Sequence, residues 1–316
     1  MNDKIKLGVS SCLMGNPVRY DGQHQLDRFL TDQLGQYVEW VPVCPEVECG
    51  LPVPRETMRL VGTPETSRLI TTRSGVDHTE KMLTWIDGKL PGLEKADLCG
   101  FVFKSKSPSS GMQGVKIYTE QGMPSASGSG LFAGAFMKRF PLLPVEDEGR
   151  LNDAGLRENF IERIFVMHRW KQYIKNDGSH SGLVDFHTRH KLLIMAHSPA
   201  DLRPLGSLVA QGRRTRQERL QAEYLGLLMS ALARKATVRK NTNVLDHIMG
   251  YFKKQLTADE KQEMKDLIGE YHTGLVPLIV PVAMLRHYVR KFDEPYLKGQ
   301  FYLHPHPAEL KLRNHA

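Results

Sequence analysis

The sequence predicts an α/β domain built on a small, doubly wound parallel sheet, followed by an all-α helical domain. Three observations lead there. Short β-prone runs alternate with helix-like stretches over roughly the first 150 residues. From about Glu158 the apolar spacing becomes helical, as in Phe160, Ile161, Ile164, Phe165 and His168. The change of texture coincides with the charged stretch Glu146-Asp147-Glu148-Gly149-Arg150-Leu151. Residues 1–152 and 153–316 are therefore read as separate domains, which the length of 316 residues also favours.

The elements follow in order. Residues 4–10 alternate like a first strand, residues 38–43 form a second, residues 100–104 a third, and another is expected near 142–145. Helix-like stretches at 25–34 and 80–90 lie between them. Strands joined through helices imply right-handed crossovers and a parallel sheet, whose ligands bind beyond the carboxyl ends of the strands. The glycine- and serine-rich stretch 122–134 is read as a loop leading into a helix around 131–138. In the second half, helices are expected at 183–197, 216–234, 243–254, 258–272 and 278–291, with breaks at Pro199, Pro204, Gly274 and Pro277. Trp40, Trp85 and Trp170 read as core or half-buried anchors.

Charge is unevenly placed. Residues 1–145 carry 16 Lys/Arg against 15 Asp/Glu, whereas residues 146–316 carry 27 against 20, so most of the net +8 belongs to the second half. Nine basic and two acidic side chains fall within residues 203–240. A basic excess confined to one domain points to a polyanion, nucleic acid before membrane, against the plainer reading of a solvated surface. No apolar run is long enough for a signal peptide or a membrane span. Four cysteines do not make a secreted disulfide framework, and the pattern suits metal binding or catalysis in a reducing cytoplasm.

Cys12, Cys44 and Cys49 sit in two turns that directly follow strand-like runs. Thiols delivered to one sheet edge are candidate ligands of a soft metal centre, and three of them suit an iron–sulfur cluster with one iron left without a cysteine. Cys99 precedes its strand instead, which puts it about 20 Å from that edge and favours a buried small hydrophobe, with a ligand role as the alternative. Glu46, between two of the thiols, is placed to act as a base or to cap a turn. Arg55 is read as a phosphate binder or a partner of Glu56, and Tyr20 as a turn residue that could stack on a base.

These residues carry a resemblance. Ser10-Ser11-Cys12-Leu13-Met14-Gly15, Val18-Arg19-Tyr20-Asp21-Gly22, Cys44-Pro45-Glu46-Val47, Gly50-Leu51-Pro52-Val53-Pro54-Arg55, Lys104 and Ser107-Pro108-Ser109-Ser110-Gly111 resemble, in order, the thiouracil desulfidase (TudS) family. Residues 183–191, Ala196-His197-Ser198, Asn243-Val244-Leu245 and Gly250-Tyr251-Phe252 resemble the YbgA-type helical domain, and the fusion resembles the RudS group of tRNA 4-thiouridine desulfidases. The resemblance implies a 4Fe-4S cluster on three cysteines, with the unique iron taking sulfur from a thiocarbonyl. It implies Glu46 as the base that activates water, Ser107 as a second catalytic residue, and Ser109 and Lys104 as neighbours that orient the ring or steady charge. One departure stands out: Ser110 occupies the turn where short family members carry a ligand cysteine, and Cys49 replaces a glycine, so the third ligand is expected to have moved to Cys49.

The expected activity is then conversion of the thiocarbonyl of 4-thiouridine in tRNA to a carbonyl, releasing hydrosulfide without net redox. Free thiouracil or a thionucleotide is the second reading, and a non-catalytic, metal-containing RNA-binding protein the third. Arg213, Arg214, Arg216, Arg219, Arg234, Lys235, Arg239 and Lys240 are the candidate tRNA contacts, lying at expected helix ends and connections. Asp185, His187 and His190 have ligand-like spacing, but polar packing of a helix is the preferred reading.

Overall fold

The computed structural model describes residues 4–211 and 216–315. The chain divides into two compact units, with the break between Asp153 and Ala154. The first contains, in order, β1 (Ile5–Ser10), β2 (Val38–Val43), the single turn α1 (Pro45–Glu48), β3 (Met58–Val61), β4 (Arg68–Thr71), α2 (Thr79–Lys95), β5 (Phe101–Phe103), β6 (Val115–Tyr118), β7 (Pro124–Gly128), α3 (Leu131–Arg139) and β8 (Val145–Asp147).

β2, β1, β5 and β8 make one sheet in that spatial order, parallel throughout, with Ile5 opposite Val38 and Ser10 opposite Val43. The chain runs from β1 outward to β2 on one side and returns to β5 on the other, so the strand order reverses between β1 and β5. That reversal opens a crevice at the carboxyl ends of the strands. β1 tolerates only glycine at Gly8, because a Cβ there would lie 2.1 Å from the Phe101 ring of the neighbouring strand. The ring instead joins Phe103, Phe132 and Phe136 in an aromatic core, with Phe101 and Phe103 centroids 4.3 Å apart and Trp85 packed on Phe132 at 5.4 Å.

A second four-stranded sheet, in the order β4-β3-β6-β7, mixes parallel and antiparallel pairs. The sequence reading has no strands there, and β7 lies within the stretch read as loop. β3, β4 and β6 are isolated four-residue runs, and β7 consists largely of serine, glycine and alanine, a composition that reads as loop. The helix read at 25–34 is also corrected. Winding begins only at Phe29, as a wide turn Phe29–Gln33 followed by a 3₁₀ turn Leu34–Gln36.

The second unit is helical: α4 (Ala154–Asn176), α5 (His180–His197), α6 (Pro199–Ala210), α7 (Gln217–Ala233), α8 (Val238–Tyr251), α9 (Ala258–His272), α10 (Ile279–Lys291) and the short α11 (Pro295–Lys298). Ser179 caps α5 by accepting from Gly182 N at 3.1 Å, and Thr257 with Glu260 forms a reciprocal capping box on α9. Trp170 stacks on buried Tyr224 with centroids 5.5 Å apart. The break read at Pro199 falls between α5, which ends at His197, and α6, whereas Pro204 does not break the chain as read. Pro199 opens α6, where the missing N–H has no helical acceptor to lose, and Pro204 is accommodated inside α6. No helix among the described residues is long and apolar enough to cross a membrane.

Candidate active site

The crevice predicted by the strand order is occupied by a cavity of about 260 Å³. Its wall is supplied by three strand ends: Ser10, Ser11 and Cys12 after β1, Cys44 and Glu46 after β2, and Lys104 to Ser110 after β5. Arg19, Tyr20 and Arg55 close it from the loops. Residues far apart in the chain converge here because parallel strands deliver all their carboxyl ends to one edge.

Cys12 and Cys44 are the thiols on this wall. Burial pushes the Cys12 thiol up to about 11, with Lys104 pulling it back and Cys44 adding to the rise. Burial likewise raises Cys44. Cys49 does not line the cavity. It ends α1 one turn beyond Cys44, with its thiol donating to Glu46 O at 3.2 Å and its body in the core cluster with Val43 and Leu51. Ser110 does line it. Cys99 lies at the other end of the sheet, where its N–H bonds Lys6 O at 2.8 Å at the start of β1. A buried and a half-buried thiol on one wall fit a soft, multivalent metal centre, whose charge would offset the burial that disfavours their thiolates. Ser110, a serine rather than a cysteine, lines the same wall after β5, while the Cys49 thiol is engaged with Glu46 O.

Glu46 is held at both carboxylate oxygens. Arg55 Nη2 pairs with Oε2, and Ser109 Oγ donates to Oε1 at 2.8 Å. Arg55 also donates to Val18 O at 3.0 Å, and its carboxylate partner is Glu46 rather than Glu56. Glu56 instead accepts from Ser74 N at 2.9 Å and Ser74 Oγ at 2.8 Å. Ser107 Oγ lies 3.0 Å from Ser109 Oγ and accepts from Ser109 N at 3.3 Å and Ser110 N at 3.1 Å. Because the Ser109 hydroxyl proton goes to Glu46, the Ser107 hydroxyl donates to Ser109. The result is a directed chain, Ser107 to Ser109 to Glu46, able to carry a proton to the carboxylate.

That chain depends on a tight junction. The first amides of α3 cap the serine turn, with Phe132 N and Ala133 N donating to Ser109 O at 2.9 and 3.2 Å. Gly130 permits the approach, since a Cβ on it would meet the Ser109 carbonyl carbon at 2.5 Å. Lys104 is less free than the sequence suggests: its ammonium pairs with Glu148 and donates to Ser105 Oγ at 3.2 Å. Its charge pulls the Cys12 thiol down against the rise caused by burial. Glu148 was invisible from the sequence, its only signal being its place just beyond β8.

In the helical unit the predicted contacts diverge in role. Arg213 and Arg214 lie outside the described residues. Arg216 pairs with Glu218 at 3.3 Å, and Arg219 and Arg239 are exposed. Arg234 pairs with Asp201 at 3.1 Å, and Lys240 caps α5 by donating to His197 O at 2.7 Å and also reaches Lys235 O. Asp185, His187 and His190 do not converge: His187 Nδ1 faces Tyr224 Oη at 3.0 Å, His190 Nδ1 faces Phe186 O at 2.7 Å, and Asp185 reaches Arg189 at 3.8 Å. Glu158, Glu162 and His306 offer ligand atoms within 4.8 Å of one another. Arg313, however, already bonds the two carboxylates at 3.1 and 2.8 Å, which answers their charge without a cation.

Comparison with known proteins divides at the same point in the chain. Residues 7–148 match the family described as 2-thiouracil desulfurase, and residues 191–307 match a family of unknown function, DUF1722. The uncharacterized protein YbgA of Escherichia coli (strain K12) is 31% identical over 165 residues, 52% of this chain and 98% of that protein. The uncharacterized protein YbbK of Bacillus subtilis (strain 168) is 31% identical over 150 residues, 46% of this chain and 97% of that one. A solved structure described as a [4Fe-4S]-dependent thiouracil desulfidase, TudS, covers 48% of this chain and 95% of its own at 31% identity, with a TM-score of 0.39.

Proposed function

The chain belongs to the 2-thiouracil desulfurase family through its first unit and to the DUF1722 family through its second, and from that premise we propose that it removes sulfur from 4-thiouridine in tRNA. Water replaces the sulfur: a C–O bond forms at the thiocarbonyl carbon, the C–S bond breaks, and sulfur leaves as hydrosulfide, with no oxidant or reductant consumed. The observation that carries the reading is Glu46, fixed by Arg55 and Ser109 on the same cavity wall as Cys12 and Cys44.

Each residue has a part. Glu46 takes a proton from the attacking water, and the Ser107–Ser109 hydroxyls relay a proton between the carboxylate and the cavity. Arg55 keeps the carboxylate oriented and answers its charge. Cys12 and Cys44 would hold a 4Fe-4S cluster, with Cys49 as the third thiolate once its side chain turns, and Lys104 would offset the negative charge of that assembly. Such a cluster, when bound, supplies a Lewis acid for the thiocarbonyl sulfur. The basic excess of residues 146–316, 27 Lys/Arg against 20 Asp/Glu, supports a polyanionic substrate.

The cavity, about 260 Å³, also suits a free thiopyrimidine base, so free thiouracil is the second reading. Sulfide release by anaerobically reconstituted protein tests the chemistry. Glu46→Gln is expected to retain iron and to lose roughly 10²–10⁴-fold in rate, the usual contribution of a general base. Turnover by Glu46→Gln within a few-fold of the parent would remove Glu46 from the chemistry.

A further inference from the structure

A groove of about 810 Å³ opens on the helical unit, walled by α5, α6 and α8 and by Tyr296 of α11. The Tyr251 and Tyr296 rings in it are nearly parallel, 14° apart in plane with centroids at 5.4 Å. His247 meets Tyr251 edge-on at 5.7 Å. Tyr251 remains 38% exposed and Val184 42% exposed, so the ring face and the apolar side chain are both open to a ligand. The charged side chains of the lining are Lys191 and Arg203, and no Asp or Glu is among the lining residues. At Gly206 the α6 wall is bare backbone, and a Cβ there would sit 3.7 Å from His187 Nε2.

An open aromatic pair beside two cations, with no carboxylate to repel phosphate, is complementary to a flat base on a polyanionic chain. Two sequence motifs, residues 183–191 and Gly250-Tyr251-Phe252, supply groove residues, and the desulfurisation chemistry uses neither. We propose that this groove binds an unpaired nucleobase of the RNA substrate, stacked on Tyr251 and Tyr296, with a neighbouring phosphate at Lys191 and Arg203. The proposal rests on the tRNA reading above and gives that reading a binding surface.

The test uses the full chain and an unmodified tRNA transcript, which binds without being turned over. Tyr251→Ala is expected to weaken binding about tenfold or more, the usual effect of losing one stacking platform, while leaving the salt dependence unchanged. Tyr251→Phe should bind as the parent does. Lys191→Ala should weaken binding and reduce the salt slope by about one. Gly206→Leu, which fills the floor without removing a charge, should match Tyr251→Ala. Sulfide release from free thiouracil should be the same in every variant. If the parent binds the transcript and Tyr251→Ala and Gly206→Leu bind it equally well, the groove serves another occupant, such as a peptide, and the proposal is overturned. A parent that fails to bind the transcript defeats the tRNA reading itself, and the proposal with it.

Discussion

Cys49 is the residue at which sequence logic and local packing pull apart. Three thiols in turns after two strands read as a set, and Cys12 and Cys44 do share a cavity wall. Cys49 follows on a single helical turn whose geometry aims its thiol at Glu46 O, 3.2 Å away, and no sequence spacing encodes that choice. The polar partner of Glu46 was equally hidden: Arg55 is nine residues on, and its pairing depends on how the loop folds back to Val18. Chemistry favours sulfur over a serine hydroxyl for iron, so a turn of the Cys49 side chain is the expected route to a third thiolate. Iron and acid-labile sulfide, counted after anaerobic reconstitution, check this directly. Cys12→Ala, Cys44→Ala and Cys49→Ala should each lose most of the iron, whereas Cys99→Ala and Ser110→Ala should keep it. Full iron retention in Cys49→Ala together with loss in Ser110→Ala would assign the third position to the hydroxyl.

At the scale of elements, the site is held by the seating of α3 on the serine turn. The turn carbonyls accept the first α3 amides, and Gly130 is the point of closest approach. Gly130→Ala should therefore destabilise the first unit by about 1–3 kcal/mol, as overpacking does, and should also slow sulfide release because Ser107 and Ser109 shift together. Gly92→Ala is the contrast: nothing lies within 4 Å of its Cβ position inside α2, so it should be neutral or stabilising by up to about 1 kcal/mol. Urea denaturation of the two variants separates these outcomes, and equal stability would mean the junction is slack. The parallel sheet was legible because β1 and β2 are six residues of largely apolar chain ending in marked turns. The second sheet was not, because β3, β4 and β6 are isolated four-residue runs and β7 is made of residues that read as loop. α6 was hidden by prolines that normally signal an end, although one of them occupies the position where a helix tolerates it best.

For the whole molecule, a nearly neutral first half carries the chemical site and a basic second half carries the helices, and both family matches respect that division. Charge counting located the basic half but not the groove, since aromatic pairs such as Tyr251 with Tyr296, 45 positions apart, become neighbours only in the fold. Two of the cations it pointed to have protein partners: Arg234 pairs with Asp201 and Lys240 with the end of α5. The cavity at the β1, β2 and β5 ends is proposed to remove sulfur from tRNA. Nucleoside analysis of thiolated tRNA, incubated anaerobically with the iron-loaded full chain, measures it most directly. The expected result is that 4-thiouridine falls while uridine and sulfide rise in equal amounts, and that Glu46→Gln leaves the tRNA unchanged over the same period. Iron-loaded protein that leaves 4-thiouridine intact in tRNA would contradict it.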